Sequence, residues 1–242
     1  QSVSAAQASP SAPQLADARR QLTQGFYYRP EPHPSAAWYA ARAAWCAAVR
    51  SIVTRHPTLD TEALVRHACV AARTMRDAPS RALWEAWQAW REHVETPEPT
   101  PVPTWISDYL LADAQEGAAA LGAIVWCSHR AVEARLLEAG LQPVDAGQTC
   151  GAVASIARHG KGFCLEAWSR NIILCPPSSG ATWEQLLGRT HRRGQCADTV
   201  EAVWYGLPAF DEAMDSAREK ARYIADTTGS AQRLCFADYT EE

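Results

Sequence analysis

The sequence predicts an α/β protein: a mostly parallel sheet flanked by helices, preceded by a small helical subdomain. Three observations carry this expectation. After residue 105, four short apolar runs alternate with helical patterns, as strands joined by crossover helices do. Before residue 97, tryptophans and aliphatic residues recur at helical spacing. Between the two lies TPEPTPVPT (96–104), whose four prolines read as an extended, semi-rigid connector.

In chain order, residues 1–14 are rich in Ser, Ala, Pro and Gln and are expected to be disordered. The prolines of QLTQGFYYRPEPHP (21–34) forbid a regular helix there. A first helix starts behind Ser35 as N-cap and carries Trp38, Trp45, Val49 and Ile52. A second starts near Asp60 with Leu64, Ala68, Ala71 and Met75 on one face, and a third at Ser80 with Leu83, Trp84, Trp87, Trp90 and Val94. A tryptophan stripe at this spacing reads as core, so the three helices form one packed subdomain. The expected divisions are a disordered 1–14, a helical connector 15–97, a Pro-rich linker 98–104 and a sheet domain 105–242.

The sheet domain's strands are AIVWC (123–127), GAVASIA (151–157), NIILC (171–175) and DTVEAVWYG (198–206). Helices are expected over 131–139, 183–190 and 208–227, the last with Phe210, Met214, Ala217, Ala221 and Ile224 as its apolar side. In parallel sheets the ligand side is the edge at the strands' C-terminal ends.

Composition narrows the function. With 242 residues, 47% of them hydrophobic, the chain can bury a real core. A net charge of −4 excludes a global positive field, so any nucleic-acid contact must be a local patch. The eight cysteines are scattered, with no C-x-x-C pair and no zinc spacing, which predicts buried free thiols in a reducing compartment and no metal site. The apolar runs fall far short of the ~20 residues that span a bilayer, so no membrane partner is expected. No signal peptide is visible, and the chain reads as a fragment or processed product of something cytoplasmic.

Two segments carry the chemistry. In SIARHGKGFCLEAWSRN (155–171), a strand runs into His159-Gly160-Lys161-Gly162, a turn where backbone amides can approach a ligand. In QLLGRTHRRGQ (185–195), Gln185, Gly188, Arg189 and Arg192 fit Q-x-x-G-R-x-x-R and place both arginines near one face of a helix end. A basic helix C-terminus favoured by the macrodipole accounts for the charge but not for the Gln and Gly offsets.

EQLLGRTHRRGQCADTV (184–200) resembles motif VI of superfamily 2 helicases, in a form close to the Swi/Snf-like branch and its phage relatives. HGKGFCLEAWSRNIIL (159–174) resembles motif V, and AIVWCSHRAVEARLLEAG (123–140) the motif IV strand and its helix. Their order and spacing resemble the second RecA-like domain over roughly residues 105–230. QLTQGFYYRPEPHPSAAWYAARAAW (21–45) resembles the helical connector between the two RecA-like domains of phage-type members.

The resemblance implies an ATP-dependent DNA helicase or translocase with a divided ATPase site, RNA not being excluded as its track. The first RecA-like domain of the same parent protein would hold ATP and Mg²⁺. This chain would present Arg189 and Arg192 as arginine fingers, with Gln185 as their polar partner in the cleft. Gly162 and Gly188 would join those arginines in nucleotide binding. Ser128, His129, Arg130, His159, Gly160 and Lys161 would contact nucleic-acid phosphates, and Arg193 falls outside the motif's spacing. The location implied is the cytoplasm, that of the host if the protein is phage-encoded.

Three departures stand beside the resemblance. No G-x-x-x-x-G-K-[ST] occurs, and no Asp-Glu pair follows a suitable strand, so this segment alone would hydrolyse no ATP. Motif V usually reads G-x-N-L-Q in this branch, whereas here Cys164 and Glu166 stand at the Asn and Gln positions. The stretch LQPVDAGQTC (141–150) is short where relatives have a further helix. The alternative is a helicase-derived regulatory module, without ATPase activity, that binds nucleic acid or another protein.

Overall fold

The computed structural model describes residues 11–71, 78–146 and 151–240. The expectations for residues 1–10, Met75 and the stretch 148–150 lie outside these described residues. The described chain divides into two units, one within residues 28–102, the other of 11–27 with 103–240. Two short strands, β1 (Phe26–Glu31) and β2 (Thr100–Trp105), form a separate two-stranded sheet, and the unit boundaries fall inside both.

The first unit contains α2 (Ala36–Val53), α3 (Glu62–Ala71) and α4 (Ala78–Arg91). The Ser35 hydroxyl accepts a hydrogen bond from the Trp38 amide, which satisfies a donor that the first turn of α2 leaves without a partner. Trp38, Trp45, Val65, Cys69, Leu83 and Trp90 make the core, with Trp84 and Trp87 partly buried against it. The tryptophan stripe is therefore packing, as the spacing predicts. The face of α3 is shifted from the expected one: Val65 and Cys69 are buried while Leu64 is 44% exposed. Arg42 lies over the rings of Trp38 and Trp90 at 5.1 and 5.8 Å and pairs with Glu98 at 2.5 Å.

The second unit holds a five-stranded, all-parallel sheet in the order β4-β5-β3-β6-β7. Its strands are β3 (Ile124–Cys127), β4 (Gln142–Pro143), β5 (Ala152–Ser155), β6 (Arg170–Ile173) and β7 (Glu201–Trp204). Helices flank it: α5 (Tyr109–Leu121), α6 (Arg130–Glu138), a single turn α7 (Ile156–His159), α8 (Gly180–Thr190), α9 (Pro208–Thr228) and α10 (Arg233–Phe236). Side chains alternate across a strand. Thus Ile124, Trp126 and Ile173 join Trp183, Leu186, Met214 and Ala217 in one core under α8 and α9, while α5 approaches Ile172 on the other face. This α/β arrangement of a parallel sheet between helices is consistent with a RecA-like fold.

Two expectations differ from what is observed. Residues 12–14 open a helix, α1 (Ala12–Thr23), rather than ending a disordered tail, and α1 contacts α9 through an Arg19–Glu212 pair with contacts of 3.0 and 3.1 Å. Within 98–104 the extended connector is also part of a sheet, pairing as β2. The seven described cysteines are free, but Cys164, Cys196 and Cys235 are exposed, and only Cys69, Cys127 and Cys175 are buried. Among the described residues no helix is long and apolar enough to cross a membrane.

Candidate functional site

The arginine-bearing segment is placed by a buried polar network at the start of β6. The Trp126 indole donates to Asn171 Oδ1 at 2.9 Å, and Asn171 Nδ2 donates to the Glu201 carbonyl at 2.9 Å and to Thr190 Oγ1 at 3.3 Å. These bonds tie the last residue of α8 to β3, β6 and β7, and a buried network with its partners met rigidifies what it holds. Below it, Gln195 folds the following loop, donating to the carbonyls of Trp168 (2.9 Å) and Thr190 (3.0 Å) and accepting from the Ala197 amide (2.9 Å). Arg233 of α10 braces α8 from outside, pairing with Glu184 and donating to the His191 carbonyl at 3.2 Å. Asn171 and Glu184 escape a sequence reading because their partners are distant in the chain.

The two arginines differ. Arg189 is half-buried, and donates from Nε to the Gln185 carbonyl at 3.3 Å and from Nη1 to the Phe163 carbonyl at 3.2 Å. Its own carbonyl accepts from the Leu165 amide at 3.1 Å. Arg192 is exposed, and its Nη1 donates to Cys164 Sγ at 3.0 Å, a weak acceptor. Hydrogen bonds from a charged donor to carbonyl oxygen contribute roughly 1.5–3 kcal/mol each. Arg189 is thus pinned by two such bonds, while Arg192 keeps most of its donors for another acceptor. Arg193 is exposed, Gln185 and Gly188 are half-buried, and Glu166 Oε2 is buried with no hydrogen-bond partner among the described residues.

The other predicted residues gather at the opposite edge. The Ser155 amide donates to His159 Nδ1 at 3.0 Å, so the imidazole is buried in its neutral form. Burial, followed by the charge of Arg158, lowers its pKa below the usual histidine range. Its ring meets Phe163 edge-on at 4.9 Å. Gly160 is buried with no room for a side chain, since a Cβ there would lie 2.4 Å from the Ile156 carbonyl oxygen. Lys161 is exposed, and Gly162 follows with φ +81°, a conformation that L side chains rarely adopt.

Ser128 and Arg130 are exposed after β3, but His129 between them is half-buried. It packs edge-on to Phe26 at 5.3 Å, and burial lowers its pKa. Asp17 and Arg20 of α1 act electrostatically on both His129 and Cys175, which places α1 beside the ends of β3 and β6.

The structure thus separates the sequence-selected residues instead of clustering them. His159 to Gly162 and Ser128 to Arg130 follow strand C-terminal ends, whereas α8 and the turn after it carry the backbone of Arg189 and Arg192 to the strands' N-terminal edge. Phe163 to Leu165 form the link between the groups. Among the described residues no three His, Cys, Asp or Glu side chains are grouped to hold a metal ion. Compared with known proteins, the chain matches no family model and no curated protein, so its assignment rests on these residues themselves.

Proposed function

We propose that this chain is the second RecA-like half of an ATP-dependent nucleic-acid helicase or translocase of the superfamily 2, Swi/Snf-like phage type. The observation that supports this best is the state of Arg192: exposed, lightly held by a thiol, and carried on a helix end that a buried network fixes in place. A planar, permanently charged guanidinium on a rigid mount suits stabilisation of charge on a transferring phosphoryl group. ATP with Mg²⁺ would be held mainly by a P-loop domain that these 242 residues do not contain. In this reading Arg192 is the finger, and Arg189 is the strut that orders the Phe163–Leu165 segment beside it. Lys161, Ser128 and Arg130 offer exposed polar groups to a phosphate backbone, and DNA is the expected track. Such contacts follow the backbone without reading sequence.

The test is DNA-stimulated ATPase activity of the protein joined to its P-loop domain. Arg192→Ala should lower turnover by about a thousandfold, as loss of an arginine finger does, with an unchanged melting temperature. Arg192→Lys should rescue little, because lysine lacks the planar fork. Near-wild-type turnover in Arg192→Ala would remove the finger assignment and favour a binding module without ATPase activity.

A further inference from the structure

We propose that the cleft between α9 and α10 is a binding site for an acidic peptide. The cleft is open to solvent, has a volume of about 570 Å³ and is lined by Arg218, Arg222, Ala225, Asp226, Leu234 and Tyr239, with Cys235 beside them. Arg218 and Arg222 stand one turn apart on α9 and so share a side of the helix. Ala225 and Leu234 supply an apolar wall.

The guanidinium of Arg218 is pre-positioned. It lies 4.1 Å from the Tyr239 ring centroid and 5.9 Å from that of Trp204, held over both rings. Its contact with Asp215 is long, at 3.5 Å, and its Nε is buried with no acceptor among the described residues. Arg222 is exposed and makes no ion pair among the described residues. The cleft therefore holds more donors than acceptors, a state that a carboxylate accepting from a guanidinium fork would complete.

A peptide is favoured over nucleic acid by charge. Asp226 sits one turn beyond Arg222 in the same wall. A continuous polyanion would meet that carboxylate, whereas a peptide can space its acids around it and lay an aliphatic side chain on Leu234. The site is independent of the ATPase reading.

The probe is a fluorescein-labelled hexapeptide, Asp-Leu-Asp-Glu-Leu-Asp, followed by anisotropy on the full chain, with its Asn/Gln counterpart and oligothymidylate as comparisons. Saturable binding of the acidic peptide that weakens with salt is expected, with little binding of the other two. Arg222→Glu, a change at an exposed position, should weaken it about tenfold or more while the melting temperature holds. Tyr239→Ala should weaken it less, by loosening Arg218. No saturable binding, an unaffected Arg222→Glu, or oligothymidylate binding as tightly as the peptide would each overturn the proposal.

Discussion

His159 owes its protonation state to its seat. Its Nδ1 accepts the Ser155 amide, so taking up a proton there means breaking that bond inside a buried site. The unfolded chain binds the proton near the ordinary value of 6.5, while burial lowers the folded value for both His159 and His129. Stability from these residues is therefore fully present above about pH 6.5 and is lost as pH falls through the lowered values. Chemical denaturation midpoints should drop as pH falls below about 6.5, and His159→Gln should flatten that drop. An equal slope in the variant would place the acid sensitivity elsewhere. The sequence singled out His159 from its Gly-Lys-Gly neighbours, but its burial depends on Phe163 folding back over it, which no local pattern encodes. Arg192 and Lys161 were legible as charged residues, while the different seating of Arg189 and Arg192 follows from which carbonyls lie nearby.

Helices α8 and α9 meet at Gly180. A Cβ there would lie 2.7 Å from the Ala221 amide nitrogen and 2.9 Å from the Ala217 carbonyl oxygen, both backbone atoms that cannot step aside. Gly180→Ala should accordingly cost about 1–3 kcal/mol in the sheet unit, seen as a lower denaturation midpoint, and should disturb the mount of Arg192 as well. A midpoint at the wild-type value would mean that the helices separate freely. At this scale the main strands of the sheet were readable, because strands buried on both faces are apolar runs bounded by turn residues. Helix α1 was not readable: it has no buried residue and docks through polar contacts such as Arg19 with Glu212. Helix α5 buries Leu110, Leu111, Ala114 and Ala118 at helical spacing, a signal weakened by its small alanines. β4, at two residues, is too short to leave a period.

Among the described residues one buried cluster gathers around Trp45 and another lies under α8 and α9 of the parallel sheet. Trp45 is 1% exposed, and its indole donates to Glu62 at 2.7 Å. Trp45→Ala should cost about 3–5 kcal/mol, confined to the helical unit, so that denaturation becomes two-stepped with the second step unmoved. A single shifted transition would show that the units fold as one. The fold class was legible at this scale, whereas the opposite placement of the site residues was not, because it follows from where α8 ends. That placement makes β3 a spacer. Ser128 lies just beyond its last residue, while Thr190 bonds Asn171, which is in register with its first. Four extended residues span about 13 Å, more than the screening length of about 8 Å in physiological salt. Charges bound at the two rims would scarcely feel one another through water. The Phe163 residue touches both groups directly, its ring on His159 and its carbonyl on Arg189.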